Sequence, residues 1–339
     1  MVCNRHGRFT RISRVTWVIA WGGLVGSLGC SPSGGFKITP VPSDQSLEET
    51  IVERHPGWVS DRIAIIDITG ILMNARTPGF LSEGEHLVSL TVEKLAAAAA
   101  DKRVKAIVLR INSPGGTVTA SDILHEEISR FRRDTGKPVV AFFMDVAASG
   151  AYYLACATDE IIAQRSGVTG SIGVIMQMFD FSGTLAKIGI SSNAITSGPM
   201  KDVGSPFRQM LPKERELLQT LVNGFYEQFV DIVDSGRPQL TRDEIVKLAD
   251  GRVYSASQAL EHGLIDRIGT LRDAIASAKK RAGIEAAHTV TYHRPLAWSP
   301  NIYAQAASSS PQVVNILGID LSYIWTNMPR FLYIWRPSG

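Results

Sequence analysis

Apolar and polar residues along the middle of the chain follow patterns that predict strands and helices in alternation. Three apolar runs, rich in β-branched residues, predict buried strands at residues 62–70, 104–111 and 138–144. A run of alanine, the strongest helix former, predicts a helix at residues 92–101 with Thr91 as the candidate cap. Apolar residues at helical spacing predict a second helix at residues 121–131. Strands that alternate with helices form parallel sheets with right-handed crossovers. The pattern therefore predicts an α/β fold.

The second half of the chain predicts shorter strands and then a series of helices. Short strands are predicted at residues 160–163, 167–175 and 190–196, with a helix at 182–189 and a loop at 197–206. A long apolar stripe that begins at Pro212 predicts a helix at residues 212–235. Further helices are predicted after the capping box at Thr241 and at residues 255–262 and 271–282.

Composition limits the function classes that the chain can serve. Its 339 residues are 45% apolar and 20% charged, so one large domain or two ordinary domains can form a sizeable core. The net charge of +3 comes from four arginines in residues 1–29, and the remainder is close to neutral, which argues against a nucleic-acid partner. Cys3, Cys30 and Cys156 are widely separated, so we expect no zinc site and no disulfide framework.

The N-terminus has the features of an export signal. The apolar run at residues 15–29 follows the arginines and is shorter than the roughly 20 residues that a membrane span needs. It ends in Ser27-Leu-Gly-Cys30, which resembles a bacterial lipoprotein signal with Cys30 as the lipid-attachment site. An uncleaved anchor is the alternative. Residues 30–58 are rich in proline, serine and glycine, and we expect a flexible tether there.

A serine lies in a run of small residues after the strand predicted at 138–144. In residues 145–156, Ser149 is followed by Gly150 and by helix formers, so a strand, a tight turn and a helix would hold its hydroxyl where a substrate can approach. Small residues around it favour substrates with small or apolar side chains at the scissile bond. The alternative is that Ser149 only caps the helix.

A nucleophilic serine needs a base and an oxyanion site. None of the seven histidines has an apolar, glycine-rich context, and His125 is expected on a solvated helix face. Lys201 lies in a loop of glycine, proline and serine and is the better candidate base, provided that burial keeps it neutral; an exposed loop lysine is the alternative. The amides of Gly115 or Gly116 are candidate oxyanion donors, together with that of Gly150.

Several motifs in order resemble one protein family, the signal peptide peptidase A family of serine proteases. These motifs are Arg110-Ile-Asn-Ser-Pro-Gly-Gly-Thr-Val-Thr-Ala-Ser121, Ala147-Ala-Ser-Gly-Ala-Tyr-Tyr153, Thr169-Gly-Ser-Ile-Gly-Val174 and Gly198-Pro-Met-Lys-Asp-Val-Gly-Ser-Pro-Phe207. Asp250-Gly-Arg-Val-Tyr-Ser255 and Gly263-Leu-Ile-Asp266 match the later part of the family pattern. The resemblance covers roughly residues 60–285, the size of one large domain.

The resemblance implies a ClpP/crotonase-like fold, with repeated β-β-α units, a mainly parallel sheet and C-terminal helices. It implies a Ser–Lys dyad with Ser149 as nucleophile and Lys201 as general base, an oxyanion hole near residues 112–116, and no cofactor or metal. One catalytic region implies the short form of the family, which assembles into homo-oligomeric rings with active sites between neighbouring subunits. The implied substrates are signal-peptide remnants and other peptides in or beside the membrane.

Four segments and two rival functions complete the sequence-based predictions. We expect a signal peptide at 1–29, a tether at 30–58, a peptidase domain at 59–285 and a tail at 286–339 that packs on the body or on a neighbouring subunit. An interfacial membrane contact of this apolar tail is the alternative. The export signal predicts a membrane-anchored protein of the bacterial cell envelope, with its catalytic domain on the extracytoplasmic side. The rivals are a crotonase-like acyl-CoA enzyme and a non-catalytic envelope scaffold.

Overall fold

The computed structural model describes residues 46–75, 86–294 and 331–335. The predicted signal peptide, Cys30 and the first part of the tether lie outside these residues, as does most of the C-terminal tail. None of the helices within the described ranges is long and apolar enough to cross a membrane.

The described residues form eleven strands and eight helices. The strands are β1 (Glu48–Glu53), β2 (Arg62–Thr69), β3 (Val104–Ser113), β4 (Gly115–Thr117), β5 (Val139–Ala148), β6 (Glu160–Ala163), β7 (Val168–Gly170), β8 (Val253–Ser255), β9 (Arg267–Ile268), β10 (His288–His293) and β11 (Leu332–Ile334). The helices are α1 (Leu87–Ala100), α2 (Val118–Thr135), α3 (Gly150–Ala155), α4 (Ser182–Lys187), α5 (Pro212–Gly236), α6 (Arg242–Leu248), α7 (Ala256–Glu261) and α8 (Leu271–Arg281).

The main sheet is mixed and mostly parallel. Its strand order is β1-β10-β2-β3-β5-β6-β9, and β7 extends it by pairing with the end of β5 and with β8. Only the β1–β10 and β7–β8 pairs of this sheet are antiparallel. The central strand β3 is buried along most of its length, as expected when helices cover both faces of a parallel sheet. The predicted α/β class is therefore confirmed.

The two faces of the sheet pack against different helices. On one face, alternate strand residues such as Val108 and Val140 pack on α8 through Leu271 and Ile275. On the other face, the intervening residues contact α1, α2, α3 and α5 in the larger core. This period of two follows from the pleat of the strands. The arrangement buries the carboxyl end of β5 deep between layers, and this is where Ser149 lies.

Two local predictions are wrong. Residues 190–196 form no strand: Ile190 and Ile195 are exposed, and the segment pairs with no sheet edge within the described chain. Thr91 does not cap a helix, because α1 begins earlier, with the side chain of His86 accepting at its N-terminus. The Thr91 hydroxyl instead donates to the Leu87 carbonyl one turn back in the helix. A threonine inside a helix can satisfy its hydroxyl in this way, so its presence did not mark a boundary.

Helix α5 lies at the predicted position, but only part of its apolar stripe is buried. Phe229, Val230 and Val233, in its C-terminal half, are fully buried. Leu217 and Leu221, in its N-terminal half, are more than 40% exposed. An apolar helix face that is only half covered is a feature of surfaces that bind a partner.

Candidate active site

Ser149 lies at the turn between β5 and α3, in a strained backbone conformation. Its φ of 55° and ψ of −118° lie outside the regions that residues with a Cβ readily adopt. Such strain costs of order 1–3 kcal/mol and persists only when the surrounding structure enforces it. A sharp strand-to-helix turn of this kind also holds the nucleophile of α/β-hydrolases.

The hydroxyl of Ser149 has no hydrogen-bond partner within the described chain, although the residue is only 1% exposed. The alternative that Ser149 serves as a helix cap is not supported, because its side chain makes no capping hydrogen bond to α3. A buried hydroxyl without a partner is costly, and few remain in folded proteins. Its orientation is therefore better explained by a function than by packing.

Strand β7 fixes the serine turn from one side. The Ser149 amide donates to the Gly170 carbonyl at 2.7 Å, and the Thr169 hydroxyl donates to the Ala147 carbonyl at 2.6 Å. Gly170 has a φ of +86°, and a Cβ there would lie 2.6 Å from the ring of Tyr254. Only glycine fits this position, so the Thr169-Gly-Ser motif has a structural role, which is to hold the strained turn in place.

The glycine loop, residues 112–116, is tied to the turn at Ser149 from the other side. The Asn112 side chain accepts from the Val146 amide at 3.2 Å and donates to Asp145 at 3.3 Å. The Gly115 amide donates to the Ser113 hydroxyl at 3.1 Å, so it is already engaged within the loop. Asn112 thus positions the loop, a role that sequence reasoning missed although the residue belongs to the quoted motif.

The predicted glycines come together beside Ser149. A Cβ on Gly115 would lie 2.7 Å from the Gly150 nitrogen, and one on Gly116 would lie 1.9 Å from the Leu72 carbonyl oxygen. A Cβ on Gly150 would lie 2.2 Å from the Ser121 hydroxyl. No side chain fits at any of the three, so backbone amides are the groups that can face a ligand here.

The C-terminal strand β11 lies along this glycine loop. It pairs antiparallel with β4, with Tyr333 opposite Gly116. On its other side, Leu332 exchanges two hydrogen bonds of 3.0 Å with Ile175. An extended segment is therefore inserted between two backbone edges, directly in front of the serine turn.

The side chain of Tyr333 is fully buried in an aromatic pocket. Its ring stacks on Tyr153 at 5.2 Å between centroids and tilts against Phe229 at 4.6 Å. Its hydroxyl donates to the Phe225 carbonyl at 2.6 Å. The Tyr153 hydroxyl in turn donates to Asp122 at 2.8 Å, which fixes this wall of the pocket.

Lys201 lies in an exposed turn between α4 and α5 and is not hydrogen-bonded to Ser149. Its neighbour Asp202 binds Arg208 through two contacts of 2.7 and 2.8 Å, and Arg208 also pairs with the buried Glu214 of α5. Hydrogen bonds from Arg208 lower the pKa of both carboxyls. The lysine turn is therefore anchored to α5, and within the described residues no hydrogen bond joins its amine to the serine hydroxyl.

Other candidate groups in the described chain do not form a competing site. None of the described histidines bonds to Ser149, and His125 is half-buried edge-on against Tyr153 rather than solvated as predicted. Burial raises the pKa of the Cys156 thiol to about 12, which leaves it unreactive. The described residues include no cluster of histidine, cysteine, aspartate and glutamate that could hold a metal ion.

Comparison with known proteins identifies the family. Residues 131–285 match the model of peptidase family S49. A protein of Enterococcus faecium, provisionally named signal peptide peptidase SppA, is 30% identical over 300 residues, which cover 86% of each chain. The chloroplastic serine protease SPPA of Arabidopsis thaliana is 34% identical over 77% of this chain and 38% of its own length. Protease 4 of Haemophilus influenzae is 32% identical over 66% of this chain and 35% of its own length.

These matches confirm the family resemblance that the ordered motifs indicate. The family has a ClpP-like fold, in agreement with the mostly parallel sheet and its helices. The chain belongs to the signal peptide peptidase A family and is a serine peptidase.

Proposed function

We propose that the chain is a membrane-associated endopeptidase that cleaves signal-peptide remnants or other peptides through an acyl-enzyme on Ser149. The observation that carries the proposal is the buried Ser149 hydroxyl, which has no hydrogen-bond partner among the described residues. A strained backbone holds it next to three close-packed glycines. A group kept in so unfavourable a state is a good nucleophile once a base removes its proton.

The reaction uses groups that surround the serine turn. Ser149 Oγ attacks the peptide carbonyl while Lys201 Nζ takes the hydroxyl proton. The amides of Gly150 and of Gly116 donate to the oxyanion, and Gly116 is preferred to Gly115 because the Gly115 amide is already engaged by Ser113. The C–N bond then breaks, the leaving amine takes the proton, and water releases the acyl group by the same path. No step needs a metal or cofactor.

The lysine is best supplied by a neighbouring subunit in a homo-oligomeric ring. Lys201 is exposed, and within the described chain its amine makes no hydrogen bond to Ser149. The surrounding segment carries many large apolar side chains that are at least 40% exposed, namely Phe179, Phe181, Ile188, Ile190, Ile195, Met200, Phe207, Leu211, Leu217 and Leu221. A patch of this extent favours a partner surface, and a second copy that covered it would also deliver the anchored lysine turn.

The N-terminus supports location at the outer side of a bacterial membrane. Arginines, an apolar run and Cys30 follow the order of a lipoprotein signal. Lipid on Cys30, followed by a tether, would leave the catalytic domain beside the extracytoplasmic surface, where peptides of membrane origin are available.

Exchange of subunits between two inactive variants tests the dyad and its location together. Full-length protein in detergent is assayed on a peptide library as wild type, Ser149→Ala and Lys201→Ala, with Lys187→Ala as a control for an exposed lysine of the same segment. We expect both active-site variants to lose turnover while Lys187→Ala retains it. Mixed rings of the two inactive variants should regain activity, because about one interface in four combines an intact serine with an intact lysine.

Three results would contradict parts of the proposal. No gain on mixing would place the lysine and serine of one site in the same chain. Full activity of Lys201→Ala would exclude this lysine as the base. Intact rings of wild-type protein without any Ser149-dependent turnover would favour the scaffold alternative.

A further inference from the structure

A cavity with a basic lining lies on the face of the sheet that α8 covers, away from the helices next to the serine turn. Its volume is about 210 Å³, several times the roughly 30 Å³ that one water occupies, so it has room for a phosphodiester. Charged and polar side chains from the end of β1, the loop that follows and α8 line it. These residues form the basic pocket: Glu53, Arg54, His55, Arg272 and Lys279.

The basic pocket carries an excess of positive charge. Among the residues that line it, the one carboxylate, Glu53, pairs with Arg272. The side chains of Arg54 and Lys279 make no ion pair or hydrogen bond within the described residues. A lysine near the last turn of a helix is favourable in itself, but Arg54 follows a strand and has no such explanation. Unpaired cations in a concave site favour an anion with several oxygens, such as a phosphate.

Hydrogen bonds fix the loop that follows β1. The His55 amide donates to Nδ1 of His288 in β10 at 3.1 Å, and His55 Nδ1 donates to the Pro56 carbonyl at 2.8 Å. The chain then turns at Gly57, whose φ of +95° favours glycine. Trp58 follows this turn, and its side chain is fully exposed. The loop therefore holds an indole ring in solvent.

Trp58 lies close to the basic pocket. It is three residues beyond His55, and because consecutive Cα atoms are 3.8 Å apart, the two Cα atoms lie within about 11 Å of each other. A single exposed apolar side chain needs no explanation. An indole beside cations, however, is the combination that holds proteins at a membrane surface, since tryptophan is enriched at headgroup level and lysine and arginine attract anionic lipids.

The chain before β1 brings a membrane within reach of this surface. With the proposed lipid on Cys30, fewer than 20 residues separate the bilayer from Glu48, where β1 begins. A chain of that length spans at most about 70 Å, and β1 leads directly to Glu53 and Arg54. Lipid headgroups are therefore present at a high effective concentration, whereas a free phosphate competes only through its bulk concentration.

We infer that the basic pocket binds the phosphate of an anionic phospholipid headgroup while Trp58 inserts at the same membrane surface. The inference rests on the membrane association in the proposed function, to which it adds a second contact beyond the N-terminal anchor. It fixes which face of the peptidase domain is turned towards the bilayer. Neither Ser149 nor Lys201 takes part, so the headgroup site and the peptidase activity can be tested separately.

Short-chain lipids test the pocket on full-length protein in a non-ionic detergent at one fixed concentration. Titration calorimetry compares dioctanoylphosphatidylglycerol with dioctanoylphosphatidylcholine and inorganic phosphate. We expect the glycerol lipid to bind about tenfold more tightly than the choline lipid, whose ammonium group the cations repel. Arg54→Gln with Lys279→Gln should weaken its binding about 25-fold, roughly fivefold for each cation. The matched control, Lys102→Gln with Arg133→Gln, removes the same charge at two exposed positions outside the pocket and should bind as the wild type does.

The outcomes separate the headgroup site from its alternatives. Equal affinity for the two lipids, or an equal loss in the control variant, would overturn it. Inorganic phosphate that binds as tightly as the glycerol lipid would assign the pocket to a free phosphate and refute the membrane contact. The pocket variant should keep the wild-type kcat/KM on a soluble peptide. Lipid selectivity without any Ser149-dependent turnover would support the pocket and refute the proposed peptidase function.

Quenching by brominated lipid tests the insertion of Trp58. Full-length wild type and Trp58→Phe are reconstituted in vesicles of phosphatidylcholine and phosphatidylglycerol, and the difference in their fluorescence is the Trp58 signal. Bromine on the acyl chains should remove about half of this signal or more, since interfacial side chains lie roughly 5–10 Å deep. The same comparison in the Arg54→Gln, Lys279→Gln background should show little quenching. A Trp58 signal that bromine leaves unchanged in the wild-type background would show that the loop stays in water and would overturn the docking.

Discussion

Removal of the Ser149 hydroxyl should stabilise the protein while it abolishes catalysis. The buried hydroxyl has no hydrogen-bond partner in the part of the chain that the structure describes, and such a group costs about 1–3 kcal/mol. Ser149→Ala removes that cost and leaves the backbone unchanged, so we expect the free energy of unfolding to rise by about 1–2 kcal/mol. Ser149→Gly also relieves the backbone strain at φ 55°. Part of this gain is offset because glycine loses more conformational entropy on folding, so we expect the free energy of unfolding to rise by about 1–2 kcal/mol more.

The matched control is a serine whose hydroxyl is satisfied. Ser121 is also fully buried, but its hydroxyl donates to the Thr117 carbonyl at 3.0 Å. Ser121→Ala therefore loses a hydrogen bond and should lower the free energy of unfolding by about 1 kcal/mol. The same chemical change is thus expected to have opposite signs at two buried serines.

Urea unfolding followed by tryptophan fluorescence measures both changes at one fixed protein concentration, because assembly would make the apparent stability depend on concentration. All variants are made in wild-type and in Lys201→Ala protein, so that a neighbour's amine does not act as the missing partner. A gain of about 1 kcal/mol should also raise Tm by about 2–4 °C in a domain of this size. If Ser149→Ala lowers stability as much as Ser121→Ala in the Lys201→Ala protein, the hydroxyl has a partner and the reasoning fails.

Three further predictions concern the frame of the site and the body. Gly116→Ala should lower the free energy of unfolding by about 1–3 kcal/mol in urea, since its Cβ would meet backbone at 1.9 Å, whereas Gly183→Ala meets nothing and should not destabilise. Arg237→Met removes a buried guanidinium from its ion pair with a partly exposed aspartate and should lower the free energy of unfolding by about 2–4 kcal/mol. The exposed Arg242→Met should lower it by less than about 1 kcal/mol, and thermal unfolding compares the two variants. Burial lowers the pKa of His125 below 6.5, so the unfolded chain takes up the proton first and the free energy of unfolding should fall as pH drops below about 6.5. Urea titrations at about pH 7.5 and 5.5 should show that His125→Gln lacks this part of the pH dependence.

The central sheet was predictable because each of its strands carries a local signal. Continuous apolar runs at 104–111 and 138–144 became β3 and β5, and their helical partners have clear apolar faces. Residues 190–196 also contain β-branched residues, but they pair with no sheet edge among the described residues. Composition alone could not separate the two cases, since pairing depends on the rest of the sheet.

The serine and its glycines were predictable for a different reason, namely that small residues mark places where backbones approach closely. A Cβ at Gly115, Gly116 or Gly150 would clash with its neighbours, so these positions require glycine, and their place in the site could be predicted from the sequence. The strain at Ser149 had no sequence signal of its own, because it is enforced by Thr169 and Gly170 from a distant strand.

The position of Tyr333 is an example of a contact that local sequence patterns do not predict. Nothing near residue 333 indicates that it pairs with Gly116, more than 200 residues earlier, and its aromatic neighbours are equally typical of a packed tail or a membrane contact. Its position is set by the register of the β4–β11 ladder and by the burial of its ring between Tyr153 and Phe229. Both sets of contacts join residues that are far apart in the sequence and meet only in the folded chain. Because strand pairing and aromatic packing of this kind depend on the rest of the structure, no local pattern at residues 331–335 could predict them.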